Sequence, residues 1–416
     1  MKEITGGVCA PKGFAAGGIR CGIKPGSEKK DLALIYSPEP CNATGLFTTN
    51  RVKAASVLLS MECVARGKLR AIIANSGNAN ACTGEAGMAA ARRMAQLAAE
   101  ALSVEPSEVA VASTGVIGVP LPVEAIENGI ADLKASLRDD EQGHDSALEA
   151  IMTTDTRKKE FAIEIEIGGK PVRIGCMAKG SGMIHPKMAT MLSFITTDAV
   201  IDTFLLNTAL QRAVRRSFNR LTVDGDMSTN DMVLIMASGK AGNPPITVRK
   251  DGGYEDFASS LEAACVKMVR MMARDGEGAT KLVIVTVSGA SDEKTAEILA
   301  KSVASSSLVK AACFGADANW GRVLCALGYA GVDFDDSKTD VSFRSKAGEI
   351  EVCKNGESVS FSEEKAKLIL SEEEIEIAVT LHEGSCEGKG QGPGQASAYG
   401  CDLTYDYVKI NGDYRS

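Results

Sequence analysis

The chain has 416 residues, 44% hydrophobic and 24% charged, with a formal net charge of −8 and no long run of one sign. That balance suits a globular protein of two or three domains and speaks against a basic nucleic-acid face, as the single Trp speaks against base-stacking platforms. The opening MKEITGGVCAPKGF lacks a charged start followed by an apolar core, and no apolar run nears the roughly 18 residues of a membrane span, so a cytoplasmic protein without membrane contact is expected.

In chain order, residues 31–36 and 69–75 read as short strands. Residues 85–102, rich in Ala, Leu, Met, Arg and Glu, read as a helix. Residues 109–115 are a strand that stops at Gly115, and 121–137 a second helix. The run FAIEIEIGG, 161–169, alternates apolar and polar residues and ends in Gly-Gly, which predicts a strand and a turn. Asp202 caps a helix through about residue 220, and 232–239 is a buried strand. A long helix from Tyr254 ends near Asp275-Gly276, the apolar strand 281–290 follows, and 291–306 is helical again. The last hundred residues change character, with alternating strands around the turn signal Lys354-Asn355-Gly356 and a glycine-rich loop at 384–397. A domain boundary near residue 290 is expected, giving 1–290 as the main domain and 291–416 as a smaller C-terminal one. The mixture is α/β or α+β, with helices layered around sheets.

Twelve cysteines are spread along the chain without a Cys-x-x-Cys pair, and are read as mostly buried free thiols. Three histidines, His144, His185 and His382, lie far apart, so no metal site is expected. Among the glycine-rich stretches, 76–87 follows a strand and precedes a helix, as an anion cradle would, but a plain turn is the better reading without phosphate-loop spacing. GKGQGPG, 388–394, reads as a surface loop. In ARDGEGATK, 273–281, the flanking glycines expose Glu277. In ASTGVIG, 112–118, a strand ends in Ser-Thr-Gly, where a hydroxyl and backbone N–H groups could meet one oxyanion; an ordinary strand end is the simpler reading.

The stretch SGMIHPKMATMLSFITTD, 181–198, sets one hydroxyl, Thr190, in an oily run just after Ala189. A β-branched strand residue would suffice there. HPKMATML, 185–192, nevertheless resembles the signature of the ornithine acetyltransferase (glutamate N-acetyltransferase) family. So do GVCAPKGFAAGGI, NSGNANACTGEAG, STGVIG, TTDT, KGSGMI, TVDGDMSTND, DGEGATK, ANWGR and YVKINGDYRS, in order from one end of the chain to the other. The resemblance implies an N-terminal-nucleophile-like fold and a precursor that cleaves itself between Ala189 and Thr190, giving an α chain of residues 1–189 and a β chain of residues 190–416.

Physical chemistry supports that implication. A Thr hydroxyl is a weak nucleophile and needs a base, and an α-amine, with a reference pKa of about 7.7–8.0, serves near neutral pH where Lys, near 10.4, does not. Inside a chain that amine is a peptide nitrogen, so the bond must break first. The resemblance further implies transfer of an acetyl group from N-acetylornithine to glutamate through acetyl-Thr190, in cyclic arginine biosynthesis, with acetyl-CoA as a second potential donor and no cofactor or metal. Thr114 and Gly115 would stabilise the oxyanion. Thr153 (or its neighbour Thr154), Lys179, Thr190, Glu277, Asn411 and the terminal Ser416, where relatives often carry Thr, would bind substrate. Lys179 suits a carboxylate and Glu277 the ornithine ammonium. Two α and two β chains would assemble. The competing readings are a self-processed aminopeptidase or amidase and a non-catalytic binding protein.

Overall fold

A computed structural model describes residues 1–185, 191–250, 252–382 and 394–413. The first part of the chain contributes β1 (Lys2–Ile4), β2 (Ala15–Ile19), β3 (Leu32–Phe47), α1 (Ala55–Val64), β4 (Lys68–Asn78), α2 (Gly84–Leu102), β5 (Val109–Val116), α3 (Val123–Ala135) and α4 (Glu141–Ile151). It continues with β6 (Lys159–Ile167), β7 (Lys170–Lys179), β8 (Leu192–Thr197), α5 (Thr203–Arg216), β9 (Met232–Ala237) and α6 (Gly252–Arg274). The described strands form one sheet in the order β1-β6-β7-β8-β9-β3-β4-β5, with β2 added on β3.

Local chemistry explains the pairings. β6 and β7 form a hairpin closed by Gly168 and Gly169, whose φ values of +58° and +75° fit the two-residue turn that needs a left-handed backbone at both positions. β8 and β9 run parallel and are covered on both faces, so β9 reads as an unbroken apolar run. Its Met232, Leu234 and Met236 face a core shared with α1–α4, while Val233, Ile235 and Ala237 face a core shared with α5 and α6.

The rest of the chain adds β10 (Leu282–Ala290), α7 (Glu293–Ser305), α8 (Ser307–Phe314), α9 (Trp320–Gly328), β11 (Thr339–Ser345), β12 (Gly348–Lys354), β13 (Glu357–Ser358), α10 (Glu363–Leu370), β14 (Glu374–Leu381), β15 (Gly394–Cys401) and α11 (Tyr405–Asp413). A second sheet runs β13-β12-β11-β14-β10-β15. Leu282 and Ile284 of β10, with Tyr399 and Cys401 of β15, share the α5–α6 core, whereas Val283, Val285 and Val287 join α7–α10 on the far side. The layers are therefore helix, sheet, helix, sheet, helix, as the α/β expectation anticipated.

Two boundaries differ from the sequence reading. β10 is an interior strand of the second sheet, so the chain passes to that sheet at Leu282 rather than near 290. The strand looks like part of what precedes it because Leu282 and Ile284 join the core packed by α5 and α6. The loop expected over 384–397 already pairs with β10 from Gly394 onward. That strand starts at a glycine because the chain passes tightly there against the start of α7: a Cβ at Gly394 would fall 2.1 Å from the Asp292 carbonyl carbon. The rest of that loop, through residue 393, lies outside the described residues.

Eight of the eleven described cysteines are buried and all eleven are free thiols. Burial pushes the Cys176 thiol up to about 12, which makes it an inert packing group. No described helix is long and apolar enough to cross a membrane. Asp202 caps α5 as expected, accepting from the Phe204 and Leu205 N–H groups at 2.8 and 3.4 Å. Replacing it with Ala is expected to lower unfolding stability by about 1 kcal/mol, read as a lower urea midpoint with an unchanged slope.

Candidate active site

A cavity of about 180 Å3 opens where strand ends from the first sheet meet the loop after α6 and the C-terminal helix. Thr114, Gly115, Thr153, Lys179, Glu277 and Asn411 all line it, so every described member of the expected set converges there. Ala189, Thr190 and Ser416 lie outside the described residues. Met191, the residue after Thr190 in the chain, also lines the cavity.

Each side chain reaches the cavity for a local reason. β5 ends at the cavity because Gly115, at φ +137°, lets it run against the backbone of β4, where a Cβ would sit 2.3 Å from the Gly77 carbonyl carbon. Lys179 is the last residue of β7, and its Nζ donates to Thr114 Oγ1 at 3.2 Å. Burial pushes the Lys179 ammonium down, while the charges of Asp155 and Glu277 pull it back up.

Glu277 is less exposed than its flanking glycines suggest. Its carboxylate accepts from the Thr154 hydroxyl at 2.7 Å and from Asn411 Nδ2 at 2.9 Å. Its backbone N–H donates to the Ser181 carbonyl at 2.8 Å. Gly278, at φ +69°, seats the first turn of α11 directly on this loop, since a Cβ there would lie 2.6 Å from the Tyr407 nitrogen. The Thr153–Thr154 alternative divides by role: Thr154 is engaged with Glu277 and, at 2.7 Å, with Ser181, while no described hydrogen bond engages the Thr153 hydroxyl.

The sequence reading missed Asp231. It is 3% exposed, lines the cavity, and its Oδ2 has no hydrogen-bond partner among the described residues. Burial drives its carboxyl well above the ordinary range, toward the neutral form. The next residue, Met232, donates its N–H to the Met191 carbonyl at 2.8 Å, which holds Asp231 beside the segment that follows Thr190. Asn230 pins the same loop by donating to the Ala79 and Ser113 carbonyls at 2.6 and 2.8 Å. The available signal was an acidic residue at the mouth of a wholly apolar strand.

Other candidates fall elsewhere. His185 meets Thr222 at 3.0 Å and lines a different depression. The 76–87 stretch is occupied by its own contacts, with Asn78 bonded to the Val119 and Pro120 carbonyls and Asn80 to that of Gly87. His144, Asp145 and Glu160 form the one described group with metal-ligand types close together. His144 Nδ1 accepts from the Val8 N–H, and the His144 Nε2–Glu160 Oε2 separation of 2.6 Å is a direct hydrogen-bond contact, shorter than the about 3.3 Å between two ligands of one tetrahedral ion.

Comparison with known proteins settles the family. The ArgJ family matches residues 15–416. The chain belongs to the ArgJ family. An arginine biosynthesis bifunctional protein ArgJ from Symbiobacterium thermophilum is 53% identical over 417 residues, covering 100% of both chains. One from Caldanaerobacter subterraneus subsp. tengcongensis is 49% identical, again over 100% of both. A solved chain of the Bacillus halodurans protein covers 53% of this chain and 98% of its own, at 44% identity and a TM-score of 0.49.

A Cβ at Gly182 would lie 2.2 Å from Glu277 Oε2. Gly182→Ala is expected to push the carboxylate off Asn411 and Thr154 and to raise substrate KM by about tenfold or more, with little change in melting temperature. Steady-state kinetics beside a thermal melt checks this.

Proposed function

We propose that the protein is an acetyltransferase of arginine biosynthesis that cleaves itself between Ala189 and Thr190 and then moves an acetyl group from N-acetylornithine to glutamate. One observation carries the reading: residues as distant as Thr114, Lys179, Glu277 and Asn411 meet in a single cavity beside Met191, in a chain that matches its ArgJ relatives from end to end.

In this mechanism the Thr190 hydroxyl first attacks the Ala189 carbonyl and displaces the Thr190 nitrogen, giving an ester between the two residues. Water hydrolyses the ester, which leaves a carboxylate on Ala189 and a free α-amine on Thr190. That amine then takes the hydroxyl proton as Thr190 attacks the acetyl carbonyl of N-acetylornithine. The amine returns the proton to the departing ornithine nitrogen. The glutamate amine attacks acetyl-Thr190 in turn, and N-acetylglutamate leaves. Both half-reactions use one site, which makes the kinetics ping-pong.

The geometry suits the roles assigned by resemblance. A hydroxyl offers one proton and two acceptor sites. Lys179 donates to Thr114 Oγ1, so the Thr114 proton remains available to an oxyanion, together with the Gly115 N–H. Lys179 also brings positive charge to a substrate carboxylate, and Glu277, held by Thr154 and Asn411, offers negative charge to the ornithine ammonium. Thr153 supplies a further hydroxyl, and Ser416 completes the substrate contacts. Because the nucleophile's base is its own amine, the chemistry calls for neither metal nor cofactor. The name of these relatives, arginine biosynthesis bifunctional protein, supports acetyl-CoA as a second donor that acetylates glutamate. We place the enzyme in the cytoplasm as two α and two β chains.

Incubation with N-acetylornithine and glutamate is expected to yield N-acetylglutamate and ornithine in equal amounts without acetate. Stoichiometric acetate would instead identify an amidase. Acetyl-CoA with glutamate alone should also give N-acetylglutamate. Thr190→Ala should stay one uncleaved, inert chain, while Thr114→Val should cleave less readily and lose about 10²–10³ in kcat.

A further inference from the structure

Beneath the cavity lies a group of charges that no step above uses. Lys159, Asp155 and Asp275 have side chains only 1%, 0% and 2% exposed. Lys159 Nζ lies 2.5 Å from Asp155 Oδ1 and 2.5 Å from Asp275 Oδ2. Burying such groups is a poor way to gain stability, since apolar replacements of equal volume often do as well. Their partners suggest another purpose.

Asp155 accepts from the Gly180 N–H at 2.8 Å through one oxygen and from the Thr153 N–H at 2.9 Å through the other. It thereby fixes both the loop that carries Thr153 and Thr154 and the turn that follows Lys179. Asp275 accepts from the Thr156 and Arg157 N–H groups at 3.1 and 3.2 Å, and from the Thr156 hydroxyl. It lies two residues before Glu277. Lys159 therefore ties together three stretches of chain, around residues 155, 180 and 275, each of which delivers one expected substrate contact.

The charges also balance. One lysine cannot neutralise two carboxylates, and the fourth member is Lys179. Burial alone would raise the Asp155 carboxyl, yet Lys179 and then Lys159 draw it below the ordinary carboxylate range. The groups that act on Lys179 are Asp155 and Glu277 on the negative side, Lys159 and Lys24 on the positive side, and Asp231, which burial drives toward its neutral form.

We propose that Asp155, clamped by the Lys159 ammonium that Asp275 also holds, is a positioning residue that sets the place of Lys179 and supplies it with buried counter-charge for binding the substrate carboxylate. This rests on the assignment of Lys179 in the proposed function. The test compares pH profiles of kcat/KM for acetyl transfer by the mature enzyme and by D155N and D155E. D155N is expected to lower kcat/KM by about tenfold or more and to move the alkaline limb to lower pH, because the Lys179 ammonium loses a buried counter-charge. The acid limb, set by the Thr190 amine, should stay in place. D155E, which keeps the charge and displaces it, should raise KM with the alkaline limb unmoved, and it decides the matter if D155N does not fold. A D155N profile that only scales down, or a D155E enzyme with the parent KM, overturns the proposal. Parent enzyme without any transfer activity would overturn the functional reading instead, so the two failures are distinguishable.

Discussion

A lysine ammonium buried between two carboxylates is the constraint on which the site depends. Lys159 sits on β6 on the same side as Phe161, Ile163 and Ile165, facing the core packed by α6. Its charge cannot stay there alone, because an unpaired buried ammonium is costly. Asp155 arrives from the loop before β6 and Asp275 from the end of α6. The ends of two distant segments are thereby drawn to one point, and the cavity forms above it.

From that point the site assembles by backbone contacts more than by side-chain ones. β5 reaches the cavity through glycine against glycine at Gly115 and Gly77, and α11 docks where Gly278 leaves room for its first turn. The C-terminal segment, beyond the second sheet, thus returns to a cavity built mainly on the first, and Asn411 closes it over Glu277. A hydroxyl nucleophile with an α-amine base requires such enclosure. Both groups must be held in one geometry, and the oxyanion must meet donors already in place rather than mobile water.

Much of the fold was legible in the sequence. Apolar runs within 109–115 and 232–239 and the Gly-Gly hairpin after β6 left little choice. β3 runs well past the strand expected over 31–36, because the Ser-Pro-Glu-Pro at 37–40 forms only an irregularity inside one long strand that pairs with β4 on one side and β9 on the other. α4 went unread because Gly143 and a fully buried His144 disguise its inner face. The site residues were legible only through resemblance over the whole chain, since Lys179 or Asn411 alone reads as a solvated side chain. The buried network had a signal that was passed over: the alternation in FAIEIEI, extended back by two, places Lys159 on the inward face. A Lys-Lys pair at 158–159 looks like surface, and indeed Lys158 is solvated while its neighbour is not.

The account stands on the hydroxyl of Thr190 carrying the acetyl group between substrates. Intact mass of the protein mixed briefly with N-acetylornithine, without glutamate, tests this directly. The fragment that begins at Thr190 should gain the mass of one acetyl group, map it to its first residue, and lose it when glutamate is added. An unmodified fragment from an enzyme that is active on the same substrates, or an acetyl group on any other residue, would contradict it.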